Sequence, residues 1–447
     1  MSAPDIGWLG ILRLGLVQTA LGAVVVLTTT TLNRVMIVEL ALPAMLPGML
    51  VGFHYAVQIL RPRLGYGSDV GGRRTPWILG GILVLAAGGV TASFATAMME
   101  TNTAGGVALA TVAFLMIGAG VSSAGTALLA LLATRVAPER RAPAAMVTWV
   151  MMIAGFAVTA GTAGHFLDPF SMERLVAVTS VVCALAVLLA FVAVWGVEGE
   201  GRQSVGNNAP NTPTTPFFQA LGQIWDEPKA RRFTIFVFFS MLAYNSQDLI
   251  LEPFAGLVFG LTPGQSTQLG GFQNGGVLAG MLLAALAGRG KLGSLRAWTI
   301  GGCIASAIAL ANLIVVAGLQ DLWWESVSDS GLWRVGLPVL ALGAANGAFA
   351  VAAIGSMMRL ASEGRERREG VRVGLWGAAQ AIAFGLGGFL GTVGVDAIRY
   401  LAGDETAGYS MVFGLAALLF LVSAWLAARV DRVRETDQKY GTATAGS

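Results

Sequence analysis

The chain has 447 residues, 55% of them hydrophobic and only 12% charged, with a formal net charge of +3 and a mean hydropathy of +0.70. A soluble globular protein carries roughly 25% charged residues, so a water-soluble enzyme is excluded, and so small a positive balance gives no footing for nucleic acid. Apolar runs of about 20 residues read as membrane-spanning helices. Twelve follow one another, at 11–33, 44–61, 76–98, 106–134, 143–165, 174–196, 233–257, 267–288, 297–318, 333–358, 372–396 and 408–428. The expected fold class is all-α and integral to the membrane.

Taken in chain order, the first run is too long for a cleavable signal and continues into the fold. If its helix passes the bilayer centre to the far side, it carries Asn33, Arg34 and Glu39. The second run holds His54 at mid-span. Residues 60–77 then form a short basic loop in which Gly65, Asp69, Gly72, Arg73 and Arg74 keep the spacing G-x-x-x-D-x-x-G-R-R. Gly permits tight turns, Asp accepts hydrogen bonds from a helix N-terminus, and Arg anchors a cytoplasmic face. This loop resembles the one between helices two and three of the major facilitator superfamily, although Val70 stands where that superfamily usually has a basic residue. A second charged loop carries Glu139, Arg140 and Arg141, and a third carries Glu366, Arg367 and Arg368. Residues 198–228 are rich in Gly, Pro, Asn and Thr and read as a flexible linker. In the seventh run Asn245, Asp248 and Glu252 are spaced i, i+3, i+7 and share one helix face.

Basic residues set the expected orientation. With a cytoplasmic N-terminus, 24 of the 28 Lys and Arg fall on inner loops and helix ends, and only Arg34, Arg174, Arg334 and Arg399 fall outside. That asymmetry puts both termini in the cytoplasm. Cys183 and Cys303 lie inside apolar runs, so neither a disulfide nor a metal site is expected.

The chain is also written twice. Glu39 recurs as Glu252 after 213 residues, Pro47-Gly48 as Pro263-Gly264 after 216, Phe53-His54 as Phe272-Gln273 after 219, Trp77 as Trp298 after 221, and Glu139-Arg140-Arg141 as Glu366-Arg367-Arg368 after 227. The offsets rise in order, as small insertions in the second copy would produce. A six-plus-six repeat is the internal symmetry of major facilitator folds. The expected organisation is an N-terminal six-helix half at 1–197, a cytoplasmic linker at 198–230, a C-terminal six-helix half at 231–430 and a polar tail at 431–447.

Charged groups at membrane depth are costly and mark function. The first and seventh helices would be symmetry mates, and Arg34 is the only cation in either outer half. Asn33, Arg34, Glu39, Asn245, Asp248 and Glu252 therefore form either a charge cluster that closes the outer side or a set of groups solvated at the headgroups. A neutral His in a membrane helix, such as His54, can hydrogen-bond a neighbouring helix, relay protons or ligate the magnesium of a chlorophyll. Gln273 is its repeat mate. No P-loop, zinc-ligand cluster or Ser/His/Asp arrangement is present, so the chain is not read as an enzyme.

Several strings are more specific: residues 31–40, 54–58, 61–63, 67–69 with 71–77, and 247–254, the last reading Gln-Asp-Leu-Ile-Leu-Glu-Pro-Phe. They resemble the bacteriochlorophyll-delivery (PucC/LhaA) family of purple photosynthetic bacteria, a branch of the major facilitator superfamily. The resemblance implies a membrane assembly factor that handles bacteriochlorophyll or a late precursor as a non-catalytic cofactor. Implied partners are light-harvesting polypeptides or the bacteriochlorophyll synthase, in the inner, intracytoplasmic photosynthetic membrane. Residues 1–7 lead almost straight into the first helix, where PucC and LhaA carry a longer segment, which implies a branch tied to pigment-synthesis enzymes. The resemblance also brings forward His54 as an axial magnesium ligand, and Glu39 and Glu252 as residues of the recognisable strings. The alternative function is a secondary transporter of a small solute by alternating access. It predicts a titratable group in a polar central cavity, whereas the mid-span positions here are mainly Gly, Ala, Val and Leu.

Overall fold

A computed structural model describes residues 6–60, 73–197, 225–289, 293–319, 331–362 and 369–430. Gly65, Asp69 and Gly72 of the first charged loop, Glu366, Arg367 and Arg368 of the third, most of the expected linker and the tail lie outside the described residues.

Twelve helices follow in order among the described residues. They are α1 (Trp8–Glu39), α2 (Met45–Val57), α3 (Thr75–Met98), α4 (Thr103–Arg135), α5 (Pro138–Leu167), α6 (Met172–Val194), α7 (Pro228–Phe259), α8 (Pro263–Arg289), α9 (Leu295–Gly318), α10 (Gly331–Ser362), α11 (Glu369–Ala402) and α12 (Glu405–Val430). Eleven are long and apolar enough to cross a membrane. The exception is α2, whose 13 residues rise only ~20 Å before a tight turn at Gln58–Leu60. The expected span at 44–61 is thus shorter as α-helix than its hydropathy implied.

Cap chemistry places several helix starts. Asn102 accepts from the Gly105 N–H at 3.0 Å, and Ser171 and Ser294 accept from Arg174 and Ala297 N–H, each at 3.1 Å. Pro sits in the first turn of α3, α5 and α7, where its missing N–H costs nothing.

The packing repeats with a step of six helices. In the first half α1 packs on α5 and α6, α3 on α4 and α6, and α2 on α4; in the second, α7 packs on α11 and α12, α9 on α10 and α12, and α8 on α10. Two further seams, α5 on α8 and α2 on α11, join the halves and exchange with each other under the same step. The basic residues follow it too. Arg13 of α1 donates to the carbonyls of Val192 and Trp195 at the end of α6 (3.1 and 2.6 Å), and Arg232 of α7 donates to the Arg429 carbonyl at the end of α12 (3.4 Å). A guanidinium there meets the negative end of the helix dipole. These contacts mark the terminal face; the ends of α1, α5, α7 and α11 mark the far face.

Candidate functional site: the crossing of the first and seventh helices

The polar residues of α1 lie where its helix loosens. Thr28, Thr29 and Thr30 turn their hydroxyls back to the carbonyls of Val24, Val25 and Val26, at 3.0, 2.8 and 2.7 Å. Such back-bonding competes with the backbone ladder, and the chain widens into a π turn at Leu27–Thr31 and a second at Val35–Glu39. Between them sit Asn33 and Arg34. The helix of 32 residues rises ~48 Å, against ~30 Å of bilayer hydrocarbon, so its last turns reach the far face.

Arg34 is only 2% exposed. Its Nη1 donates to Glu39 in an ion pair, and its Nη2 donates to the Leu261 carbonyl at 2.7 Å, just past α7. The guanidinium lies flat on Gly256, where a Cβ would come within 2.9 Å of Nη2. Asn33 donates to the Leu249 carbonyl of α7 at 2.5 Å, and the hydroxyls of Thr31 and Thr267 meet at 3.1 Å. All of these groups except Glu39 are buried, and the cluster ties α1 to the second half of the molecule.

The three polar residues of α7 share a face in sequence, and that face meets three different helices. Asn245 donates to the Phe384 carbonyl of α11 at 2.5 Å. Asp248 accepts from Gln273 of α8 at 2.9 Å. Glu252 faces α1, with Thr30, Arg34 and Asp248 as its polar neighbours. It is 2% exposed and neither carboxylate oxygen has a hydrogen-bond partner among the described residues. The Thr30 hydroxyl already gives its proton to Val26.

His54 and Gln273 occupy different settings. His54 is 2% exposed, its backbone lies against Gly118 of α4, and its Nε2 is 3.0 Å from the amide nitrogen of Gln58 on the same helix. Axial ligation of a magnesium by this nitrogen requires the Gln58 amide to turn away. Gln273 is committed across the α7–α8 interface.

Arg73 and Arg74 stand at the start of α3. Glu139 occupies the first turn of α5, where the helix dipole favours an acid. Arg140 opens α5 through its N–H to the Ala137 carbonyl at 2.9 Å, and Arg141 Nε donates to the Val136 carbonyl at 3.0 Å. Asp69, expected to accept from a helix N-terminus, lies outside the described residues. Sequence reasoning missed Thr30, Thr31 and Thr267, although the Thr28–Thr31 run was the visible signal. A separate cleft of about 400 Å³ opens between α9 and α10, lined by Trp298 and by small residues such as Ala297, Gly301, Gly302 and Ala348. Cys183 and Cys303 are both buried and free.

Comparison with known proteins gives the lineage. The "PUCC protein" family model matches residues 31–435. The chain is 50% identical over 430 residues to the "Bacteriochlorophyll synthase 44.5 kDa chain" of Rhodobacter capsulatus, covering 96% of this chain and 97% of that one. It is 30% identical over 430 residues to protein PucC of Rhodobacter capsulatus, covering 92% and 90%. Among solved structures it is similar to the D-xylose-proton symporter, with a TM-score of 0.71 at 15% identity, covering 94% of this chain and 97% of that one. The last likeness speaks to the fold, a twelve-helix major facilitator architecture. The first three speak to descent: the chain belongs to the PUCC protein family.

Proposed function

We propose that this protein handles bacteriochlorophyll, or a late precursor of it, during assembly of photosynthetic pigment–protein complexes, and that it does so without catalysing a reaction. The observation that carries this reading is the 50% identity, over nearly the full length of both chains, to a protein named as a chain of the bacteriochlorophyll synthase. The geometry agrees in kind. The cleft at Trp298, which does not include His54, is lined by Gly and Ala and suits a flat apolar ring or its tail. His54 is the candidate axial ligand, with Gln58 as the group that holds its Nε2 until pigment arrives. The partners in this reading are light-harvesting polypeptides or the bacteriochlorophyll synthase. The site of action is the inner photosynthetic membrane, with both termini cytoplasmic.

Purification in mild detergent tests it. Wild-type protein should carry bacteriochlorophyll in simple stoichiometry, and His54→Leu should lower bound pigment or shift its absorption while the helical circular dichroism stays unchanged. Full pigment with an unaltered spectrum in that variant removes His54 as ligand. A second reading, proton-coupled transport of a small polar solute, draws on Glu252, buried beside Arg34. Pigment-free wild-type protein that takes up such a solute would establish it. Orientation has its own test: a reporter fused after Gln203 should read as cytoplasmic, and a periplasmic signal overturns the topology.

A further inference from the structure

Two carboxylates at the far face make contacts that the function above does not use. Asp168, just past α5, accepts the Thr262 hydroxyl at 2.7 Å and the Gly264 N–H at 3.3 Å, both at the first turn of α8. Asp396, near the end of α11, accepts the Ala44 N–H at 3.0 Å on one oxygen and the Met45 N–H at 2.8 Å on the other, both at the first turn of α2. Each contact crosses from one half of the molecule to the other. The two acids lie 228 residues apart, which extends the rising series of repeat offsets by one step beyond 227. The first turns of the helices that receive them hold the repeated Pro47-Gly48 and Pro263-Gly264. Those glycines have the same use in both places: a Cβ on Gly264 would collide with Asp168 and the Gly164 carbonyl, and one on Gly48 would collide with Thr392.

We propose that Asp168 and Asp396 are a symmetry-related pair of latches that hold the far face shut, each by capping a helix N-terminus that belongs to the opposite half. The physics is that of an N-cap, in which a carboxylate satisfies N–H groups left without intrahelical partners and meets the positive end of the dipole. An ordinary cap stays with its helix in every conformation. These caps are lost if the halves part at this face, so they stabilise only the closed state. The latches are unequal. The α8 N-terminus also has a capping box of its own, Thr262 Oγ1 accepting from the Gln265 N–H and Gln265 Oε1 from the Thr262 N–H, each at 3.1 Å. The α2 N-terminus has no side-chain cap from its own segment and relies on Asp396. Opening at α2–α11 therefore exposes more unsatisfied backbone than opening at α5–α8.

The test is thiol accessibility in the full chain, reconstituted in nanodiscs. Thr267 is fully buried, three residues beyond Gly264 and bonded to Thr31 of the other half, so Thr267→Cys should label slowly with a membrane-impermeant maleimide. Adding Asp396→Ala should raise the labelling rate about tenfold, the shift that losing a cap of about 1.4 kcal/mol produces. Asp168→Ala should raise it less, and the double variant should exceed either. Asp396→Asn keeps one acceptor oxygen and should fall between parent and Ala; it also serves if the Ala variant does not fold. Unchanged labelling in folded Asp396→Asn and Asp168→Ala proteins would overturn the latches. So would a lower unfolding temperature with parental labelling, which would reduce them to static caps.

Discussion

The two halves share one scheme of helix pairing and fill it differently. In the hydrophobic core of the first half Phe114 is the only Phe, Tyr or Trp among the described buried residues, and the rest is Leu, Ile, Val, Met and Ala with a single Cys. The second core is built on rings: Phe254 alone touches Phe413, Phe259 and Tyr409 at centroid distances of 5.0, 5.2 and 5.7 Å. The polar groups have diverged as well. The first half keeps a cation, Arg34, paired within its own helix to Glu39; its mate α7 keeps carboxylates that reach to α8 and toward α1. The difference teaches that helix pairing in a duplicated membrane fold depends on where backbones approach and helices are capped. The volume and charge between them are exchangeable as long as the space is filled.

The largest expected effect sharpens the contrast in charge. Arg34→Ala leaves the buried Leu261 carbonyl without its donor and the part-exposed Glu39 without its partner, and should cost ~1–3 kcal/mol, as for a buried acceptor left unsatisfied. Arg399 and Glu405, 3.0 Å apart in the second half, have side chains 42% and 36% exposed. Losing that pair through Arg399→Ala should cost under ~1 kcal/mol. Unfolding midpoints of the purified variants in one detergent compare them directly, and equal shifts would mean that Arg34 is solvated in the membrane. The contrast in cores predicts a smaller difference. Phe254→Leu loses ring–ring contacts that Phe114→Leu does not, so it should destabilise by ~1–2 kcal/mol more. Matching losses at the two positions would show that the rings of the second half act only as volume.

Part of this architecture is legible in the amino-acid sequence. The apolar runs identify the twelve helices because a spanning segment must be apolar along its whole length, a local property. Helix α2 is legible only in part, since hydropathy measures how apolar a run is and not where its backbone stops being α-helical. The candidate site is half visible. Arg34, Asp248 and Glu252 stand out as charges inside apolar runs, and the seventh helix shows its polar spacing directly. That Arg34 chooses Glu39, Asp248 chooses Gln273 and Glu252 faces Thr30 and Arg34 depends on how α1, α7 and α8 are turned toward one another.

Sequence by itself determined the solvent this chain lives in, its helix count, its internal repeat and its resemblance to a family, because each is carried by residues close together or by a spacing that can be counted. Only the tertiary structure decided which polar group meets which. Asp396 reads in sequence as an ordinary acid near a helix end. It becomes the cap of α2 because folding brings it to the Ala44 and Met45 amides, 352 and 351 residues away. A hydrogen bond requires its partners within about 3 Å and roughly in line, and no local pattern records a distance between residues so far apart in the chain.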